Sequence, residues 1–294
     1  MPSVMSARSN AKPFPILPIV LNTALPSVLS DLPVKPGQKN YARIWSSIND
    51  VCDLLHIPFV GNGDDTKPIF QHIQFKTGQR IHTIGQEFDV LYVVNSGFLK
   101  TVLIDEYGNE QVLSFPMKGD VLGVDCIHAK VHSTEAVALS DCNLILLPFK
   151  TLVEMARKNI EVEQVIYNVL SRELLRKQAM ISLLVAPKAE ARVARFLVFL
   201  SDKFFEMGYS KTIFSLRMTR QEIGSYLGLS LETVSRALSA LNAVGLICVD
   251  QRAIKINESD IFKLLHEVAP MKQRANPYVP RKLRSTVEWE NRMP

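Results

Sequence analysis

The stretch MTRQEIGSYLGLSLETVSRALSALNAVGLICV, residues 218–249, carries two helix starts and two helix stops. Thr219 and Glu222 form a T-x-x-E capping box, which opens a helix at Arg220. Gly228 stops that helix, Ser230 is placed to cap a second, and Gly245 to end it. At 100° per residue, Val234, Ala237, Leu238 and Leu241 gather on one side of the second helix. Glu232, Ser235, Arg236 and Ser239 gather opposite, toward solvent. Beyond it, LICV and AIKI flank Asp250–Arg252 and predict a short hairpin, which suits a wing.

An exposed face with Glu and Arg four residues apart has two readings. As a surface ion pair it contributes only a few tenths of a kcal/mol. As a reading head it has the right chemistry: Arg presents a fork that matches guanine O6 and N7, and Glu accepts from cytosine N4. Glu232 and Arg236 stand near the N-terminal end of the second helix, the end that enters the major groove in helix-turn-helix proteins. The candidate DNA-contacting set is Thr219, Arg220, Ser230, Glu232, Thr233, Ser235, Arg236 and Ser239. Charge agrees with this. The chain carries a net charge of +5, but residues 1–150 hold 12 Lys/Arg against 14 Asp/Glu, and residues 151–294 hold 22 against 15. A basic half beside a near-neutral one suits a polyanionic partner without naming it; the Glu232–Arg236 face makes double-stranded DNA the expected one.

Upstream the texture changes. From Ile69 to Phe149 short apolar runs (IFQHIQF, VLYVVN, FLKTVLID, QVLSFP, EAVAL, NLILLPF) alternate with turns at Gly78, Gly85, Gly97, Gly108 and Gly119. That spacing marks an antiparallel sandwich or barrel, a jelly roll. Between Lys150 and Met207 glycine is absent, and Ile166, Leu170, Leu174, Ile181 and Leu184 recur along one helical stripe, with Lys177 in the seam. So narrow a stripe on so long a helix is best buried against its own copy in a homodimer, the Lys177 stem packing and its amine reaching water. The expected architecture is α+β. A Pro-rich arm (1–40) precedes a sensor domain (41–149) that opens with a helix at about 41–56. A dimerisation helix (150–186), a winged helix-turn-helix (187–268) that begins with a helix at 188–206, and a basic tail (269–294) follow.

Residues 69–265 resemble the CRP/FNR superfamily of bacterial transcription regulators, whose jelly roll, dimer helix and winged helix-turn-helix follow in this order. The words MTRQEIGSYLGLSLETVSRAL and GDVLGVDCI are most similar to the FNR (fumarate and nitrate reduction regulator) branch. There an E-x-x-S-R motif on the recognition helix reads a TTGAT-type half-site, and its positions fall here on Glu232, Ser235 and Arg236. The resemblance implies a homodimeric, sequence-specific regulator, an activator that contacts RNA polymerase. It departs from the family in the sensor. Cyclic-nucleotide members hold the ligand with a Gly-Glu pair and an Arg-Ser pair; here Gly123-Val124 and His132-Ser133 stand in those places, so cyclic AMP is not expected. FNR proteins bind an iron–sulfur cluster through clustered N-terminal cysteines plus one in the sensor. Here WSSINDVCDLLHIPF holds Cys52 alone, His56 stands where the last N-terminal cysteine would be, and Ile145, three residues past Cys142, at the sensor position. A four-thiolate cluster is not expected either.

Cys126, His128 and His132 lie within seven residues, a weak metal-like grouping without a fourth ligand, and Cys126 is read as a buried, inert thiol. No cofactor is expected. Cupin-type enzymes need a clustered histidine word, and GQRIHTIG offers only His82; no paired carboxylates, nucleophile elbow or phosphate loop appears. The four scattered cysteines suit reduced thiols in a cytoplasm. FPILPIVLNTALPSVLS is broken by Pro15 and Pro18 and lacks an A-x-A site, so it reads as an arm rather than a signal. No run approaches the length of a membrane span.

Overall fold

The computed structural model describes residues 45–60, 67 and 69–257. The Pro-rich arm, residues 41–44 of the expected first helix, the GNGDD turn, residues 258–268 and the basic tail lie outside the described residues. Strand β1 (Trp45–Ser46) leads into α1 (Ile48–Leu55). The helix starts at Ile48, later than the expected 41, because Ser47 and Asp50 close a capping box. Ser47 Oγ accepts from the Asp50 amide at 3.2 Å, and Asp50 Oδ2 accepts from the Ser47 amide at 2.7 Å.

The jelly roll comprises β2 (Phe70–Phe75), β3 (Arg80–His82), β4 (Val90–Ser96), β5 (Leu99–Ile104), β6 (Glu110–Ser114), β7 (Val121–Leu122), β8 (Glu135–Ala138) and β9 (Cys142–Pro148). They form a five-stranded sheet, β1-β2-β9-β4-β7, facing a four-stranded one, β3-β8-β5-β6. β4 reads as an unbroken apolar run because it is covered on both faces. Val90, Tyr92 and Val94 fill the sandwich interior with Leu99, Leu122, Ala136 and Leu144. Leu91 and Val93 pack the other way, under Ile48, Val51, Cys52 and Leu55 of α1.

The helix expected to run unbroken through 150–186 is two. α2 (Phe149–Lys158) and α3 (Ile160–Leu184) meet at Asn159, which is extended (φ −137°, ψ 113°). Its side chain accepts from the Glu161 amide at 2.9 Å and caps α3, so the break is a helix start in its own right. Val162 and Val165 bury the first turns of α3 in the sensor core. From Tyr167 on, the apolar stripe lies open: Leu174 is 62% exposed and Ile181 61%.

The C-terminal head is α4 (Ala189–Glu206), β10 (Ile213–Ser215), α5 (Arg220–Leu227), α6 (Leu231–Ala243), β11 (Ile247–Asp250) and β12 (Ala253–Ile256). The expected hairpin is joined by β10, giving the order β10-β12-β11. Sensor and head share one apolar core: Val102, Val112, Phe115 and Met117 pack in the same cluster as Phe196, Tyr226 and Leu227. The Phe115, Phe196 and Tyr226 rings lie 5.2–6.0 Å apart. Each such pair adds about 0.5–1.5 kcal/mol beyond the area it buries. The fold is thus α+β, a jelly roll joined by a long helix to a winged helix-turn-helix.

Candidate nucleic-acid interface

Two glycines set the angle between α5 and α6. Gly228 takes the left-handed conformation (φ 63°) that ends α5, and its amide donates to the Gly224 carbonyl. Gly224 is needed for space: a Cβ there would sit 2.6 Å from the Leu229 carbonyl oxygen. Val234, Ala237, Leu238 and Leu241 are buried as the helical wheel requires, which fixes the rotation of α6. Glu232, Arg236 and Ser239 are consequently exposed, and Ser235 is half-buried.

Hydrogen bonds tie the candidate residues into two groups. Thr219 caps α5, its hydroxyl accepting from the Glu222 amide at 3.1 Å. From the next position Arg220 Nη1 reaches across to Ser235 Oγ, 3.2 Å away on α6. Ser230 caps α6 by accepting from the Thr233 amide at 3.2 Å, and Arg236 Nη2 donates to Thr233 Oγ1 at 3.3 Å. Hydrogen bonds from its own main-chain N–H and from the Ser230 hydroxyl hold the Glu232 carboxyl below the ordinary carboxylate range, and the Arg236 charge adds to this. Glu232 and Arg236 therefore stand as full, opposite charges on an open surface at the positive end of a helix. Ser239 lies one turn further along the same face.

The comparisons with known proteins agree with this geometry. A Crp-like helix-turn-helix domain matches residues 191–261, and a cyclic nucleotide-binding domain matches residues 72–159. The fumarate and nitrate reduction regulatory protein of Salmonella typhi is 35% identical over 223 residues, 74% of this chain and 88% of that one. The chain belongs to the CRP/FNR superfamily of DNA-binding transcription regulators. Electron transport regulator A of Shewanella oneidensis is 36% identical over 72% of this regulator and 86% of its own length. The structure of FixK2 from Bradyrhizobium japonicum, 26% identical, matches with a TM-score of 0.62 over 70% of this chain and 100% of that one.

The sensor interior of this CRP/FNR regulator holds two buried histidines. His132 is buried and stacks face to face on buried His82, ring centroids 3.9 Å apart, with Cys126 Sγ 3.4 Å from His132 Nδ1. His82 Nδ1 donates to the Thr134 carbonyl at 3.0 Å. Burial, and after it the neighbouring His132, lowers the His82 pKa to about 4. Burial, then Asp125, pushes the Cys126 thiol up to about 11. His128 is exposed, apart from this pair, and no three His, Cys, Asp or Glu side chains among the described residues converge as a metal site. Beside His82 a cavity of about 310 Å³ runs toward α3 and the head. Sequence reasoning did not find β10, or the polar contacts of Ser225 and Glu222 with the sensor described below.

The His82 environment has a pH signature. Well above pH 6.5 the ring is neutral whether the chain is folded or not, and folding releases no proton from it. Between about 6.5 and 4 the unfolded chain takes up a proton that the folded one refuses, so stability falls with pH across that window, by up to about 3 kcal/mol. Urea unfolding at pH 7.5, 5.5 and 4.5 should show this loss, and His82→Phe should make it shallower, with buried His132 contributing the remainder. An equal slope in both proteins would remove His82 as the cause.

Proposed function

We propose that this regulator binds DNA as a homodimer paired through α3, and reads a palindrome of TTGAT-like half-sites with Glu232, Ser235 and Arg236. The observation that carries the reading is the exposed, ionised Glu232–Arg236 face at the N-terminal end of α6, braced by Arg220 on Ser235. Thr219, Arg220, Ser230 and Thr233 would hold phosphate oxygens and fix the register, with Ser239 one turn further along the groove. A two-fold dimer sets its half-sites about one helical turn, roughly 34 Å, apart. The open apolar stripe of α3 is the surface a second copy would cover. By resemblance it acts as an activator through RNA polymerase, in the cytoplasm where its DNA is. We read it as a regulator rather than an enzyme, because its candidate charged groups stand on an exposed helix face suited to a duplex.

No cofactor enters this reading. A cyclic nucleotide would need a cation at the position of His132, whose ring is kept neutral by burial. An iron–sulfur cluster would need four thiolates together, yet Cys52 is buried on α1 and Cys248 is exposed on β11 of the head. Those residues do not fit the cluster. A second reading, control by a small effector, has the cavity beside His82 in its favour; such an effector would change DNA affinity by the factor by which DNA changes its own.

Fluorescence anisotropy tests the main reading. A TTGAT…ATCAA duplex should bind on the order of 10³-fold more tightly than a scrambled duplex of equal composition. Both affinities should weaken with salt as counterions are released. Equal affinity for the two duplexes would dismiss the proposed base reading.

A further inference from the structure

β6 is the outer strand of the four-stranded sheet, and the outer main-chain groups of an edge strand need a partner. The head supplies it. Ser225 Oγ on α5 accepts from the Val112 amide at 2.8 Å and donates to the Glu110 carbonyl at 3.1 Å. The Gln111 side-chain amide donates to the Ser225 main-chain carbonyl. Three residues earlier on α5, Glu222 divides its carboxylate. Oε2 takes the Thr219 amide at 2.7 Å and hydroxyl at 3.0 Å, completing the cap of α5. Oε1 lies 3.1 Å from Lys100 Nζ of β5, which also meets Glu110 Oε2 at 3.1 Å. The Lys100 and Glu222 side chains are only 14% and 17% exposed, so this ammonium is a largely enclosed cation between two carboxylates. Beneath the polar contacts, Phe115 of the sensor packs on Tyr226.

The docked face of α5 carries Glu222 and Ser225, while Thr219 and Arg220 remain exposed and the Glu232–Arg236 face of α6 is open. Docking therefore leaves the DNA-facing surface free. We propose that Lys100, Gln111 and Ser225 are positioning residues for DNA reading: they fasten each head to its own sensor, so that the two recognition helices of a dimer are spaced before DNA arrives. This rests on the dimeric, palindrome-reading function proposed above. A head on a loose tether would have to be ordered anew at every second half-site, whereas a fastened one meets it at high effective concentration. Removing the Lys100 charge also leaves Glu110 and Glu222 facing each other unshielded, which drives α5 from the sheet.

The test uses the full chain and two duplexes, one with the complete palindrome and one with a single half-site. The Lys100→Met/Ser225→Ala double variant should lose about tenfold or more on the palindrome and less than about twofold on the half-site. Lys100→Arg, which keeps the cation, should restore the palindrome. Gln111→Ala, an exposed position that does not endanger folding, should show the same split at about threefold. Thermal midpoints recorded alongside identify any variant that has lost its fold, and in that case the Gln111→Ala split decides. Equal losses on both duplexes, no loss, or a gain on the palindrome would overturn the positioning role. A wild-type protein that does not prefer the palindrome to the half-site would instead remove the dimeric reading, and the proposal with it.

Discussion

Arg236→Ala is expected to weaken binding to the palindrome by about 1–3 kcal/mol, roughly 5- to 150-fold in Kd, and to relax the choice of base at one position. The expectation comes from geometry. Arg236 is exposed on α6, rotated toward solvent by the buried Val234, Ala237 and Leu238, and lightly tethered by its hydrogen bond to Thr233 Oγ1. That tether aims the fork without consuming it, since one guanidinium has five N–H donors. Arg236→Lys separates reading from simple charge attraction: it keeps the cation but cannot present a bidentate fork, so it should lose base preference nearly as fully as the alanine variant. Titration against a panel of single-base half-site variants checks both. A lysine variant with wild-type base preference would reassign Arg236 to the phosphate backbone.

Ile181→Glu is expected to leave the protomer folded and abolish its pairing. Ile181 is largely exposed on the single chain, so the substitution creates no cavity and buries no charge within the protomer. In the dimer proposed here the same position would press against the partner helix, where an unpaired carboxylate costs several kcal/mol. Sedimentation should show a monomer with a wild-type thermal midpoint extrapolated to low concentration. Affinity for the palindrome should fall by about 100-fold or more, because the second half-site is no longer engaged by a tethered head. A dimer that persists in Ile181→Glu would show that the stripe of α3 is covered by something other than its own copy.

What the sequence made legible was local. The Thr219–Glu222 capping box, the Ser230 cap and the rotation of α6 follow from residues three or four apart, and the structure places them as read. The longer strands were visible as apolar or alternating runs. β1, β3, β7 and β10 were not, because two or three residues are too few to show a period. The break at Asn159 was hidden for a different reason: the apolar spacing runs straight through it, and an asparagine that caps a helix is written with the same letter as one inside it. The His82–His132 stack and the seat of Ser225 on β6 join residues 50 and more than 110 apart, pairings that only the closed sandwich and the docked head bring about. Sensor chemistry and head placement were therefore the least readable parts of the chain.

The hydroxyl of Ser225 also guards against a hazard. Cut away the head, by proteolysis or by truncation near Pro187, and the outer groups of β6 lose their cover while Val102, Val112 and Phe115 are bared beside them. A ribbon of unpaired amides next to an oily strip is the usual starting point for strand-to-strand clumping. A fragment lacking the head would thus be less soluble than the intact molecule.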